Sequence, residues 1–255
     1  IPVYQPVKVR DPEFIQVIKD LAPDVIVVVA FGQIIPQAIL DLPPYGCINI
    51  HASLLPKYRG AAPIQWAVID GEKETGITTM QMDAGLDTGA ILEQERVALA
   101  EDETGGSLFD KLSAVGSSLI LSTLKKLEAG TIRPVPQPSE GSSYAGRLTK
   151  ELGDIDWSRD AGSIERLIRG LNPWPSAYTR WNGKTVKLWA AKALLQDAAE
   201  ETGEHEKGAF GQIVRCDRHC LIVQTGEGLL DIRELQLEGK KRMDVEAFLR
   251  GCPMA

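Results

Sequence analysis

No stretch of the 255-residue chain is apolar for the roughly 20 residues that a bilayer-crossing helix needs, so a membrane-spanning helix is excluded. No basic-then-apolar leader opens the chain either, and a cytoplasmic setting is expected. Cysteine is scarce. Four residues, at 47, 216, 220 and 252, show no spacing that suggests a disulfide framework. A reducing compartment is the plain reading. Cys216, His219 and Cys220 lie close together, but three ligands with no fourth partner make a poor zinc site, and no metal is expected. An excess of positive charge is also missing. The net charge of −7 argues against attraction of the whole molecule to nucleic acid. The deficit is uneven: residues 1–133 hold 11 Lys and Arg against 17 Asp and Glu, whereas 134–255 hold 17 against 18. The second half, near neutral but rich in Lys and Arg, leaves room for a local basic face.

What is present is ordinary for a globular protein, 44% hydrophobic and 25% charged, at a length that fits one large domain or two ordinary ones. "DPEFIQVIKDLAPD" at 11–24 places Asp and Pro at a helix start and follows them with a helical apolar stripe, Phe14, Ile15, Ile18 and Leu21. "VIVVVA" at 25–30 is a continuous β-branched run, the mark of a strand buried on both faces. "CINIH" at 47–51 and "GITTMQM" at 76–82 read as further strands, and 107–130 as a long amphipathic helix stopped by Gly130. Strands alternating with helices predict an α/β layer with a mostly parallel sheet over 1–133. Residues 134–150, with prolines and serines and little periodicity, read as a linker. In 151–255, one helical stretch precedes five short β-like runs separated by Gly-containing turns, which suggests a small barrel or sandwich such as an OB-fold. The acidic stretch 195–208 reads as a solvated loop.

The segment "CINIHASLLPKYRGAAP", residues 47 to 63, carries the chemistry. Side chains alternate along a strand, so Ile48 and Ile50 share one face while Asn49 and His51 share the other. An amide and an imidazole then lie together at the carboxyl end of a strand, where open α/β sheets bind ligands. The bland alternative is a strand end whose polar side chains are satisfied by loop backbone. A second cluster, "MDAGLDTGAIL" at 82–92, weakens that alternative. Gly85 and Gly89 permit a tight backbone path, and Asp87 falls where a carboxylate would orient the histidine. Asp83 competes for that role, but directly after a strand it could equally cap the turn.

The stretch "INIHASLLPKYRGAAPIQWAVIDGEKETGITTMQMDAGLDTG" closely resembles the 10-formyltetrahydrofolate-dependent formyltransferase family. The family pattern is an Asn-x-His pair, an S-L-L-P loop followed by R-G, and a later L-D-T-G loop. "RGAAPIQWAV", "FDKL" and "IDWS…IRGLNPWPSAYT" are similar to the branch of that family acting on methionyl-tRNA, and the resemblance runs along the whole chain. It implies a Rossmann-like formyltransferase domain followed by an OB-like barrel that helps to hold tRNA. It implies Asn49, His51 and Asp87 as the catalytic trio, Ser53, Leu54, Leu55 and Pro56 lining the folate site, and the loop with Phe31, Gly32 and Ile34 against the pteridine. The formyl donor would be 10-formyltetrahydrofolate, the acceptor methionyl-initiator tRNA, and the protein a monomer. The chemistry fits these residue types. An amine attacks a formyl carbon, the amide and imidazole stabilise the oxyanion, and the imidazole with a carboxylate behind it shuttles protons. No covalent nucleophile is needed. Two alternatives stay open: the same chemistry on another amine acceptor, or a hydrolase on the same fold; and a nucleic-acid-binding module with no catalysis.

Lys57 and Arg59 could contact tRNA phosphate or be solvated loop charges, and basic residues over 180–192 and 240–242 could form a tRNA face. "LNPWPSAY" at 171–178 reads as a rigid turn joining domains rather than a stacking platform. The family's opening strand, its G-T-P-type turn, the following helix and second strand, and a loop that probes the acceptor stem have no counterpart here. The expectation is that residue 1 is not the natural start. The chain would then keep the catalytic trio while lacking part of the folate floor and a tRNA-contact loop.

Overall fold

The computed structural model describes residues 1–194 and 209–252, which divide into two units. The first comprises 1–63, 73–99 and 109–147, and the second comprises the remaining described residues.

In the first unit, helix α1 (Pro12–Leu21) starts on Asp11 and Pro12 as the sequence predicts. Its Phe14, Ile15 and Ile18 pack on a cluster of Val9, Val28, Ile35, Ile39, Leu40 and Cys47. Strand β1 (Ile26–Val29), the short helix α2 (Gln37–Leu40) and strand β2 (Cys47–His51) follow, then the two-residue β3 (Arg59–Gly60). Helix α3 (Pro63–Ile69) lies almost wholly in the second unit. Strands β4 (Glu74–Gln81) and β5 (Ile91–Ala98) complete a four-stranded sheet in the order β1-β2-β4-β5.

Its strand directions correct the expectation of a mostly parallel sheet. β1 and β2 are parallel, but β2–β4 and β4–β5 are antiparallel. The short link over 82–90 can close a hairpin but not a crossover. Two further differences follow from the same sheet. β1 is not buried on both faces: it is the sheet's edge among the described residues, with Val27 39% and Val29 58% exposed. β5 was not anticipated, because Glu93, Gln94, Glu95 and Arg96 hide its apolar period.

Helix α4 (Gly105–Glu128) covers one face of the sheet. Ile120, Leu124 and Leu127 join Ile48, Ile50 and Leu92 in one cluster. The helix comes so close that a Cβ on Gly116 would stand 3.2 Å from Ile50 Cγ2. Polar ties fix its register: Thr123 Oγ1 meets Thr79 Oγ1 at 2.9 Å, and Glu93 accepts from Ser122, Thr123 and Lys126. The chain then runs back through the first unit. Val135 bridges Ile91, and β6 (Tyr144–Ala145) pairs in parallel with β3.

The second unit holds helix α5 (Ala161–Gly170), whose N-cap Asp160 accepts from Ser163 N at 2.8 Å. Strands β7 (Ala177–Trp181), β8 (Lys184–Leu194), β9 (Ile213–Cys216), β10 (Leu221–Gln224), β11 (Leu229–Leu237) and β12 (Met243–Asp244) precede helix α6 (Val245–Gly251). The pairing path is antiparallel throughout, in the order β7-β8-β11-β10-β9 with β12 on β11. Strands β9 to β11 form a meander, and β8 lies beside β11, which is Greek-key order. β8 connects to β9 through 195–208, so the acidic loop read from the sequence lies outside the described residues. Ile164, Ile168, Leu188, Leu230, Ile232, Leu235 and Phe248 belong to one apolar cluster between the sheet and its helices. No helix among the described residues is long and apolar enough to cross a membrane.

Candidate active site

Strand β2 places the two polar side chains as its alternation predicts. Ile48 and Ile50 pack into the α4 cluster, and Asn49 and His51 take the opposite face. The parallel register pairs Val29 with Ile50, so the chain leaving β1 and the chain leaving β2 emerge at the same end of the sheet.

His51 is 6% exposed, and its Nε2 lies 2.8 Å from the carbonyl oxygen of Tyr58. A carbonyl can only accept, so Nε2 carries a hydrogen and Nδ1 is the atom left to gain or lose a proton. Nδ1 lies 3.8 Å from Asp87 Oδ2, in ion-pair range but beyond direct hydrogen bonding. Asp87 Oδ1 accepts from Asn49 Nδ2 at 3.4 Å, and its Oδ2 accepts from the backbone N–H of Gly60 at 2.8 Å. Asn49, His51 and Asp87 thus converge from two separate segments, with Asp87 between the other two.

The loop carrying Asp87 is built for that approach. Asp87 has φ +52°, a left-handed conformation that non-glycine residues adopt rarely. A Cβ on Gly89 would overlap Gln81 O at 1.8 Å, so the chain can return beside β4 only as glycine. Asp83, the competing carboxylate, accepts from Gly85 N at 3.0 Å and Thr88 Oγ1 at 2.7 Å. It caps the turn, and Asp87 faces the histidine.

The segment 53–56 sits mostly inward. Ser53 is fully buried; its Oγ donates to Lys57 O at 2.6 Å, and its carbonyl accepts from Thr78 Oγ1 at 2.6 Å. Leu55 is buried, with its N–H on Thr78 Oγ1 and its carbonyl on Gln94 Nε2. Leu54 and Pro56 are half-buried. The loop after β1 differs: Phe31 and Ile34 project into solvent, and a Cβ on Gly32 would meet nothing within 4 Å. Gln33 ties that loop down by accepting from Val9 N at 2.9 Å.

The remaining candidates separate as follows. Arg59 is half-buried, and its Nε and Nη2 both donate to Gln137 Oε1, at 3.1 and 2.6 Å. In the second unit, Arg242 lies over the Trp189 ring at 4.7 Å and Lys187 at 5.7 Å, while Arg180 lies over Tyr178. His219 Nδ1 faces Glu246, and Cys220 Sγ faces Asp217. Burial, followed by the charge of Asp41, pushes the Cys47 thiol up to about 11, so it packs as a protonated side chain. Sequence reasoning assigned no role to Tyr58, Gly60, Gln137 and Ser143. Two of them act through backbone atoms, and the other two fall in the stretch read as a linker.

The arrangement brings an amide, an imidazole and a carboxylate together, groups that can stabilise an oxyanion and move a proton in acyl transfer with no covalent nucleophile. Comparison with known proteins sharpens the class. Residues 2–124 match the family profile described as "Formyl transferase", and residues 147–253 match "Formyl transferase, C-terminal domain". The chain belongs to the formyl transferase family and is an enzyme of that class. It is 56% identical over 252 residues to the methionyl-tRNA formyltransferase of Agathobacter rectalis, covering 99% of this chain and 79% of that relative. To the same-named protein of Lachnospira eligens it is 53% identical over 251 residues, covering 98% and 79%. Among solved structures, HypX from Aquifex aeolicus in complex with tetrahydrofolic acid shares the fold at a TM-score of 0.67 and 20% identity, over 92% of this chain and 40% of that one.

Proposed function

We propose that the chain transfers the formyl group of 10-formyltetrahydrofolate to the α-amine of methionyl-initiator tRNA. The observation that carries this reading is the convergence of Asn49, His51 and Asp87 at one end of the first unit's sheet. The names of its relatives at 56% and 53% identity supply the acceptor.

The reaction forms a C–N bond to the amine and breaks the one to N10 of the folate. Negative charge appears on the formyl oxygen in between. One amide hydrogen of Asn49 faces Asp87, which leaves the other for that oxygen. His51 Nε2 is held by Tyr58, so the proton released by the amine is taken at Nδ1, directly or through a water. Asp87, 3.8 Å away, stabilises the imidazolium, and the same proton then goes to N10 as that nitrogen departs. The exposed rings and chains of Phe31 and Ile34 suit the face of a pteridine. Ser53 to Pro56, packed on Thr78 and Gln94, act as the rigid wall of that pocket. The reading assigns the formyl chemistry to 1–133 and tRNA holding to 151–255, where Trp189 with Lys187 and Arg242 offers an aromatic and basic face. The protein works as a cytoplasmic monomer.

The test is formylation of charged initiator tRNA, read as the mass increase of the methionyl ester, with wild type and His51→Ala. A loss of about 10²–10⁴ in rate with tRNA binding retained is expected. Equal loss of binding and rate, or no loss of rate, would remove the catalytic reading.

A further inference from the structure

The side chain of Gln137 joins the loop that carries Asp87 to the segment that carries Arg59. Its Nε2 donates to the backbone carbonyls of Asp87 and of Gly89, both at 2.8 Å, and its Oε1 accepts the two bonds from Arg59. One half-buried amide therefore uses both donor hydrogens on the loop that carries the carboxylate, and its acceptor on the segment after the S-L-L-P stretch. The same return strand reinforces that segment a few residues on. Ser143 Oγ accepts from Tyr58 N at 2.9 Å, Ser143 O accepts from Arg59 N at 2.9 Å, and Ala145 O accepts from Ala61 N at 2.9 Å. The residues so held are the ones that orient the site: Tyr58 gives its carbonyl to His51, and Gly60 gives its N–H to Asp87.

We infer that Gln137 is a positioning residue for formyl transfer, a clamp that fixes Asp87 relative to His51 by holding the 83–89 loop against Arg59. The inference rests on the catalytic reading of His51 and Asp87 proposed above. Asp87 depends on the clamp because its backbone is left-handed and its carboxylate must reach Gly60 and Asn49 together. Without Gln137 the loop can relax toward an ordinary conformation, and the carboxylate leaves the imidazole. Misplacement of a reacting group by about 1 Å costs on the order of 10²-fold in rate.

The experiment compares Gln137→Met, which loses every bond, with Gln137→Glu, which keeps an acceptor for Arg59 but has no hydrogen for the two carbonyls. Both variants should lose about 10- to 100-fold in kcat, with KM for folate and for tRNA within about threefold. Amide hydrogen exchange over 83–89 should speed up in both. Combining Gln137→Met with Asp87→Ala, read in single turnover, should cost nothing beyond Asp87→Ala alone, because a residue acting only through Asp87 has nothing left to position. Unchanged kcat in Gln137→Met, or full additivity with Asp87→Ala, would overturn the inference. His51→Ala and Asp87→Ala alone separate the two levels. If they leave kcat intact, the catalytic reading fails. If they abolish it while Gln137→Met stays at wild-type rate, only the clamp fails.

Discussion

The two units bury their interiors differently. The second packs Ile164, Ile168, Leu188, Leu230, Ile232, Leu235 and Phe248 into one apolar cluster. The first has one apolar cluster around Val28 and Cys47 and another around Ile48 and Ile120. Both units bury polar side chains: Glu103, Ser176, Gln224, Thr225 and Asp231 in the second, and His51, Ser53, Thr78, Thr79 and Thr123 in the first. Those of the first are paired: Ser53 with Lys57 and Thr78, Thr79 with Thr123, His51 with Tyr58. Apolar contacts are non-directional and tolerate small shifts, whereas hydrogen bonds fix distances and angles. In the first unit the paired groups His51, Ser53 and Thr78 hold the 53–58 segment beside the candidate site, which suits a reaction sensitive to fractions of an ångström.

If that contrast holds, substitutions in the first unit act mainly on rate and those in the second mainly on stability. The largest expected effect is from Asp87→Ala, which should reduce the formylation rate by about 10²–10⁴ with little change in the thermal midpoint. A rate loss that merely tracked unfolding would break the contrast. Leu230→Ala, at the centre of the second unit's core, should destabilise by about 2–5 kcal/mol in denaturant titration while the folded enzyme keeps its kcat. Gly60→Ala comes next. Gly60 has φ +113°, and a Cβ there would stand 2.6 Å from Ala145 O. About 1–3 kcal/mol of strain is expected, together with a fall in kcat as the Gly60 N–H moves from Asp87.

Two carboxylates sharpen the comparison with opposite pH signs. Burial works to raise the pKa of Glu93, but hydrogen bonds from Lys126, Thr123 and Ser122 outweigh it and hold the group below its ordinary value. A depressed carboxylate contributes stability above its unfolded value, and that stability is lost as pH falls through the folded one. Glu93→Gln should therefore lower the melting temperature at pH 7, with the deficit closing in acid. Asp231 shows the reverse. Burial pushes its carboxyl up against the charges of Arg233, Lys192 and Arg215, and Oδ1 has no hydrogen-bond partner. A raised carboxylate is stabilising only when protonated, so stability falls as pH rises from its unfolded value through its folded one. Asp231→Asn should raise the melting temperature slightly at pH 7, a gain that vanishes below about pH 4. A midpoint that fell at pH 7 would contradict this sign.

Much of this was legible along the chain because it depends on neighbours in sequence. The runs "AYTRW" and "KTVKLWAAKAL" became β7 and β8 with the same ends, since alternation and turn residues are local signals. Asn49 and His51 share a face for the same local reason. Gln137 was not legible. A glutamine between two prolines has no period, and its partners lie 48, 50 and 78 residues away. The direction of β4 and the exposure of β1 were hidden likewise, since a strand's pattern does not state which way its neighbour runs or whether it has one.

The sequence by itself determined many of the elements, though not β5, together with the pairing of amide with imidazole on β2 and the glycines that let Asp87 approach. These follow from residue periodicity and backbone sterics, which act over a few residues. Only the tertiary structure decided that Asp83 turns into its own loop while Asp87 faces His51, that Nε2 of His51 is taken up by the Tyr58 carbonyl, and that a stretch resembling a linker bonds to both the Asp87 loop and Arg59. Each of those depends on hydrogen bonds between segments far apart in the chain, whose geometry exists only once the sheet, its loops and the returning strand have packed.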